Sequence, residues 1–261
     1  PSCTIVTATV REVTLPFLLP AQSAAWIGLF DIADRFPDGW VLIGGQMVNL
    51  HCWEHDVKSH RPTDDVDTVL DIRTVPTMLK RVTQFMVEIG FTSAGQSPEG
   101  HEHRWIRGDA QIDLLVASGL GERANSRTGV TGGTTISTPG GQGALDRAQP
   151  VKINYQGRTT SINRPSLMGA IVMKAAAYSN TMDSYRDRHL IDVAVLANLV
   201  GAVDAAGFTI SNDERKKLRV ALRDLKNNIR LINSVDGATE GVLRMELLLK
   251  ASATKPPDQD S

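Results

Sequence analysis

The segment RPTDDVDTVLDIR, residues 61–73, sets Asp64, Asp65, Asp67 and Asp71 among valine, leucine and isoleucine. Side chains along a strand alternate between faces, so Thr63, Asp65, Asp67 and Asp71 share one face. Val66, Leu70 and Ile72 take the other, with Asp64 near the strand entrance. Asp65 and Asp67 then lie about 6.6 Å apart along the strand, close enough for both to reach one or two cations. Magnesium takes a few carboxylates together with phosphate oxygens, and a pair of such ions can clamp both oxygens of a phosphoryl displacement. A later segment, AQIDLLVA at 110–117, repeats the design. Ile112, Leu114 and Val116 point one way and Asp113 the other with Gln111, so on a neighbouring strand Asp113 becomes a third carboxylate. The plain alternative is an edge strand whose aspartates discourage sheet-to-sheet pairing.

Two further features bear on phosphate chemistry. The glycine pair Gly44 and Gly45, in IGGQMVNL, ends a buried strand and precedes a helix. Glycine permits close backbone approach, and free N–H groups at a helix start favour an anion. A tight turn explains the pair equally well, and no Gly-Lys-Ser/Thr follows to make a P-loop. Lys174 sits among Ile171, Val172, Met173, Ala175, Ala176 and Ala177, and Asp192 among Leu190, Ile191, Val193, Ala194 and Val195. A charge in such surroundings needs a partner. Either the two residues tie their helices together, or they serve an incoming triphosphate.

The succession GG…RPTDDVD, with IDLL on a later strand, resembles the polymerase-β-type nucleotidyltransferases, and within them the AbiEii/MenT group of toxin nucleotidyltransferases. The resemblance spans about residues 25 to 200. It implies that Gly44 and Gly45 seat a nucleoside triphosphate and that Asp65 and Asp67 bind magnesium (Mg²⁺). Asp113 would complete the ion site or ionise the attacking hydroxyl, and Thr63 would support the cluster by hydrogen bonding. The stretch PSLMGAIVMKAAAYSNTMDSYRDRHLIDVAVL puts Lys174, Arg186 and Asp192 at the family's lysine, arginine and acidic positions. Lys174 is thereby implied to neutralise the triphosphate and Asp192, as a catalytic residue, to orient it or complete the site, while Arg186 either contacts the same phosphates or only lies at the surface. Arg188-His189 stands where the family has Lys-Asp, so the secondary acid is missing. The resemblance further implies transfer to the 3′ end of tRNA, arrest of translation and a cognate antitoxin protein. The competing readings are a small-molecule (antibiotic-type) nucleotidyltransferase and a non-catalytic nucleotide- or RNA-binding protein on the same fold.

The elements that must position these residues follow from periodicity. Helices are predicted over 22–35, 46–55 and 76–90, the last bounded by Pro76 and Gly90. Strands are predicted at 40–45, through 61–73, and at 101–108 and 110–117, the last two joined by a Gly108-Asp109 turn. Residues 119–143, rich in Gly, Ser and Thr, read as loop, and 150–162 add a short strand or two. Helices are predicted at 165–179, 184–200, 211–230 and 236–250. The fold class is α/β (α+β): a polymerase-β-like core with a mixed sheet, then a helical half. The expected division is 1–148 for the nucleotidyltransferase core, 149–252 for the mainly helical domain and 253–261 for a disordered tail.

In the third of these later helices Ser211 and Glu214 have capping-box spacing. Leu218, Leu222, Leu225 and Ile229 make an apolar stripe, with Lys216, Arg219, Arg223, Lys226 and Arg230 nearly opposite. Those cations suit an RNA backbone, or simply face water. His51 and His55 lack the glutamate placement of H-E-x-x-H zinc proteases. The histidines of HEH at 101–103 are expected to be solvated, and His60 to lie in a loop.

Bulk composition excludes little but sets bounds. Of 261 residues, 41% are hydrophobic and 22% charged, and the net charge of −1 leaves no global field for nucleic acid. Cys3 and Cys52 have no ligand-like cysteine neighbours, which suits a reducing compartment. No apolar run approaches a membrane span, and the first residues lack a secretory layout, so the expectation is a cytoplasmic protein without membrane association.

Overall fold

The computed structural model describes residues 12–251 except His60 and Gly207; Cys3, His60 and the expected tail at 253–261 lie outside the described residues. In chain order the elements begin β1 (Glu12–Thr14), α1 (Pro20–Arg35), β2 (Trp40–Ile43), α2 (Gly44–Glu54), β3 (Asp65–Leu70) and α3 (Met78–Glu88). They continue with β4 (Thr92–Ser93), β5 (Arg104–Arg107), β6 (Ala110–Ala117), α4 (Glu122–Asn125), β7 (Ser137–Thr138) and α5 (Gly141–Asp146). The hairpin β8 (Ala148–Tyr155) and β9 (Arg158–Pro165) leads into α6 (Leu167–Tyr178) and α7 (Asp187–Leu199). Last come α8 (Ala202–Ala205), α9 (Asn212–Asn227), α10 (Ile229–Ile232) and α11 (Ala238–Ala251).

The larger sheet runs β2-β3-β6-β5-β4, with β7 beside β6. It is mixed: β3 and β6 are parallel, whereas β2–β3, β6–β5 and β5–β4 are antiparallel. A mixed sheet followed by a helical half is the expected fold class. A smaller sheet, β1-β8-β9, joins β1 to β8 in parallel. Neither β1 nor β4 is legible as a strand, because a two- or three-residue strand shows no periodicity.

β3 separates its faces as its alternation requires. Val66 and Leu70 are fully buried with Trp26, Phe30 and Ile112 in the main core. The opposite face is acidic only at its start. Val69 continues it into a second apolar cluster with Val41, Ile43, Leu115 and Met173. Asp71 falls past the strand, contrary to the expected face, and its carboxylate accepts the Thr74 amide at 2.9 Å to close a turn.

The segment read as loop, 119–143, contains α4, β7 and the start of α5. β7 survives as a strand because β6 offers it an open edge, pairing Val116 with Ser137. The strand signal at 150–162 understates an eight-by-eight hairpin turned at Gln156 (φ 51°) and Gly157 (φ 78°), the two positive-φ positions of a type I′ turn. The helix expected at 211–230 has the predicted capping box at Ser211 and Glu214, but it breaks at Asn228, whose side chain accepts the Leu231 amide. Ile229 consequently leaves the apolar stripe and is 70% exposed.

The expected boundary at 148/149 coincides with the first residue of β8. One hydrophobic cluster nevertheless runs through both halves, from Val13 and Trp26 to Ile153, Ile171, Leu222 and Leu249. Among the described residues, no helix is long and apolar enough to cross a membrane.

Candidate active site

Parallel pairing of β3 with β6 sets Asp67 directly opposite Asp113, with Asp65 two residues earlier on the same face. Oxygens of these three carboxylates lie within 4.8 Å of one another, a group that could hold a metal ion. The Thr63 hydroxyl donates to Asp65 Oδ1 at 2.7 Å. The Thr63 carbonyl accepts from Gln46 at 2.6 Å and Gln22 at 3.0 Å, so two helices fix the approach to the acidic strand. Neither glutamine is conspicuous in the sequence, because both read as ordinary helix positions.

The glycine pair forms the first turn of α2 itself. Gly44 has φ +71°, and a Cβ there would collide with the Asp67 carboxylate. A Cβ on Gly45 would meet the Thr63 side chain at 2.7 Å. Glycine is therefore required here by the close packing of a helix start on the carboxylates, whatever else binds there.

These residues line a cavity of about 460 Å³. Arg61, Lys174, Arg188, His189 and Asp183 line it as well, and His103 and Arg104 stand beside Asp113 and Leu114 on the neighbouring strand. Burial, together with the charges of Asp65 and Asp113, pushes the Asp67 carboxyl up to about 7. Asp113 is engaged differently: Arg104 donates to both of its oxygens, at 3.0 and 2.9 Å.

Lys174 and Asp192 do form the interhelical pair, 2.7 Å apart with both side chains buried. Arg61 adds two bonds to Asp192, each 3.3 Å. Burial alone would raise the Asp192 pKa, but Lys174 and Arg61 outweigh it and hold the carboxyl below its ordinary value. Lys174 and Arg61 face the cavity and Asp192 sits behind them. Asp192 itself does not line the cavity, and its oxygens are held by two cations.

Arg186, expected either to contact the phosphates or only to lie at the surface, stands apart from the cavity. Its guanidinium stacks on the Tyr178 ring at 4.6 Å. It precedes α7, which begins at Asp187, so Arg188 and His189 are the residues turned to the cavity wall. Asp183 accepts from Arg188 at 3.1 Å and lies 3.2 Å from His189 Nε2. Burial and Lys174 lower the His189 pKa to about 4, so its ring is neutral near pH 7.

The histidines of HEH are not solvated as expected. His101 bonds to Thr134, Glu102 is buried against Thr131, and His103 borders the cavity. His51 lies in a buried cluster with Glu54 and Arg164, and His55, just past the end of α2, bonds through Nδ1 to the His51 carbonyl at 2.8 Å. Lys216, Arg219, Arg223 and Lys226 of α9 are exposed, as is Arg230 on α10 instead of α9, and none lines the cavity. Arg223 pairs with Asp224, and Lys226 with Glu246.

No family model and no curated protein matches the chain. Among solved structures it is similar to an antigenic nucleotidyltransferase-like protein from Paracoccidioides brasiliensis, with TM-score 0.49, 14% identity, and 84% of this chain and 92% of that one covered. It is also similar to the antibiotic-resistance factor ANT(2'')-Ia, with TM-score 0.41, 14% identity, and coverage of 81% and 97%. At 14% identity and these TM-scores, the functional reading rests on the geometry of the cavity.

Proposed function

We propose that the protein is a magnesium-dependent nucleotidyltransferase. It would move a nucleoside monophosphate from a triphosphate to a hydroxyl acceptor and release pyrophosphate. The observation that carries this reading is the convergence of three carboxylates in a cavity that Arg61, Arg104, Lys174 and Arg188 also line. The all-oxygen donor set suits a hard divalent ion, and Asp67, whose pKa is raised by burial and then by the charges of Asp65 and Asp113, would be relieved by a cation. Asp65, Asp67 and Asp113 would hold Mg²⁺, which when bound supplies charge neutralisation at the phosphate oxygens.

The chain's own residues account for the rest. Thr63 orients Asp65, and the first N–H groups of α2 at Gly44 and Gly45 face the triphosphate. Lys174, held by Asp192, and Arg188 stabilise the charge that develops on the departing pyrophosphate. The acceptor oxygen forms its bond to the α-phosphorus as the bond to the bridging oxygen breaks, and its proton leaves toward the acidic wall. We take residues 1–148 as the unit carrying the carboxylates and 149–252 as the unit carrying Lys174.

We further propose the 3′ end of a tRNA as acceptor, in the cytoplasm, with growth arrest relieved by an antitoxin partner. The exposed cations of α9 and α10 support an RNA backbone as the docking surface. Incubation with total RNA, each labelled triphosphate and Mg²⁺ tests both levels. Label transfer is expected to RNA and to vanish in an Asp65→Ala, Asp67→Ala double variant; transfer retained there would refute the site. Reversal of Arg219 and Arg223 to glutamate should weaken transfer to RNA. An unchanged rate on RNA would sink the docking surface and favour a small-molecule acceptor.

A further inference from the structure

The third carboxylate of the cluster is already occupied by a cation of the protein. Arg104 lies directly opposite Asp113 in the antiparallel register of β5 with β6. Its Nε and Nη2 bond one oxygen each of Asp113, at 3.0 and 2.9 Å, a two-pronged arrangement that spans the whole carboxylate. Gln111, next along the same face, can turn its amide oxygen to within 3.1 Å of both nitrogens. The three acids are therefore unequal. Asp65 has the Thr63 hydroxyl, Asp67 makes no hydrogen bond or ion pair among the described residues, and Asp113 has Arg104.

Arg104 is not locked in place. Asp113 is buried, but the Arg104 side chain is 42% exposed and borders the cavity. A guanidinium stays charged at any physiological pH, so deprotonation of Arg104 does not end its hold on Asp113, whereas exchange onto another anion does. The triphosphate proposed for this cavity is such an anion, and planar two-pronged pairing suits phosphate as well as carboxylate.

Resting on that proposed function, we infer that Arg104 guards the metal site: it holds Asp113 until a triphosphate draws the guanidinium away and leaves the carboxylate to the cation. Divalent ion and nucleotide then bind cooperatively, each clearing the way for the other. The free protein binds the ion weakly through Asp65 and Asp67, and Arg104 becomes a phosphate contact in the loaded state.

Mn²⁺ titration of the nucleotide-free protein, followed by electron paramagnetic resonance, tests this without any turnover. Both R104Q and R104K are expected to bind Mn²⁺ about tenfold tighter than the unaltered protein, because each abolishes the two-pronged hold. A non-hydrolysable triphosphate should tighten Mn²⁺ binding more in the unaltered protein than in either variant. R104Q should also raise KM for the triphosphate more than it lowers kcat. R104K keeps the charge and guards against a folding defect; if it binds Mn²⁺ like the unaltered protein, Arg104 is a fixed charge and the guard is refuted. Equal affinity in all three proteins refutes it too, while leaving the metal site standing. If none binds Mn²⁺, with or without the triphosphate, or if D65A binds it undiminished, the metal site itself fails and the guard with it.

Discussion

Helix α2 brings a carboxylate into play at each end, Glu54 buried and Asp67 half-buried, and the two are treated in opposite ways. At its C-terminal end Glu54 receives Arg164 on both oxygens, at 2.9 and 2.6 Å, with His51 3.3 Å away. Burial would raise its pKa, but the bonds from His51 and Arg164 outweigh that and bring it down to about 2. At the N-terminal end Gly44 packs on Asp67, whose burial is compounded by Asp65 and Asp113, and its pKa goes up to about 7. One carboxylate has all the countercharge it needs within the fold, and the other has been denied it. Such a shortfall at the wall of a cavity is what the proposed cation site requires.

The contrast can be broken most severely at Asp65 and Asp67. Their joint replacement by alanine should lower label transfer by about 10³-fold, since the proposed charge neutralisation in the transition state depends on them. Thermal melting of that variant should show no loss of stability; a large loss would mean the carboxylates are structural. At the other end, Glu54→Ala should destabilise by about 3 kcal/mol, because it leaves the Arg164 guanidinium buried without its partner. A urea midpoint implying less than about 1 kcal/mol would deny the contrast, since surface pairs are worth that little.

Acid titration sharpens the same point. Glu54 has its ordinary pKa of 4.5 when unfolded and about 2 when folded. Its stabilisation is therefore complete above about pH 4.5 and disappears as pH falls toward 2, worth about 3 kcal/mol across that window. In Glu54→Gln the acid-induced loss across this window should be shallower; an unaltered slope would count against the assignment. The smallest effect has the opposite sign. Asp67→Asn should stabilise the metal-free protein by about 1 kcal/mol near pH 7 while abolishing transfer, because it removes a buried like charge. Destabilisation by that change would show that Asp67 is satisfied after all.

Residue alternation carried the acidic strand: Asp65, Asp67 and Asp113 are legible because apolar neighbours force them onto one face. The Arg104 pair was within reach as well. Counting outward from the two-residue turn at Gly108-Asp109 pairs Arg107 with Ala110 and therefore Arg104 with Asp113. Arg61 was not legible, since its bond to Asp192 joins segments far apart in the chain and no local pattern signals it. The choice between Arg186 and Arg188 depended on the first residue of α7, and helix ends are poorly marked where a turn such as Asn180–Arg186 precedes them. Between 119 and 143, β7 is held by an edge that β6 supplies, so its own residues say little.

The parallel union of β1 with β8 has a consequence for the order of assembly during synthesis. Residues 12–14 pair with 152–154, so β1 leaves the ribosome long before β8, its strand neighbour among the described residues, exists. The acidic strand, by contrast, finds β2 almost at once and β6 soon after. Distant pairings of this kind form late because loop closure must come first. Val13 and Leu15, both buried in the finished fold, must therefore wait as exposed apolar residues while the larger sheet is already taking shape. The segment most exposed to chaperones, or to misassembly, is thus one that never touches the cavity.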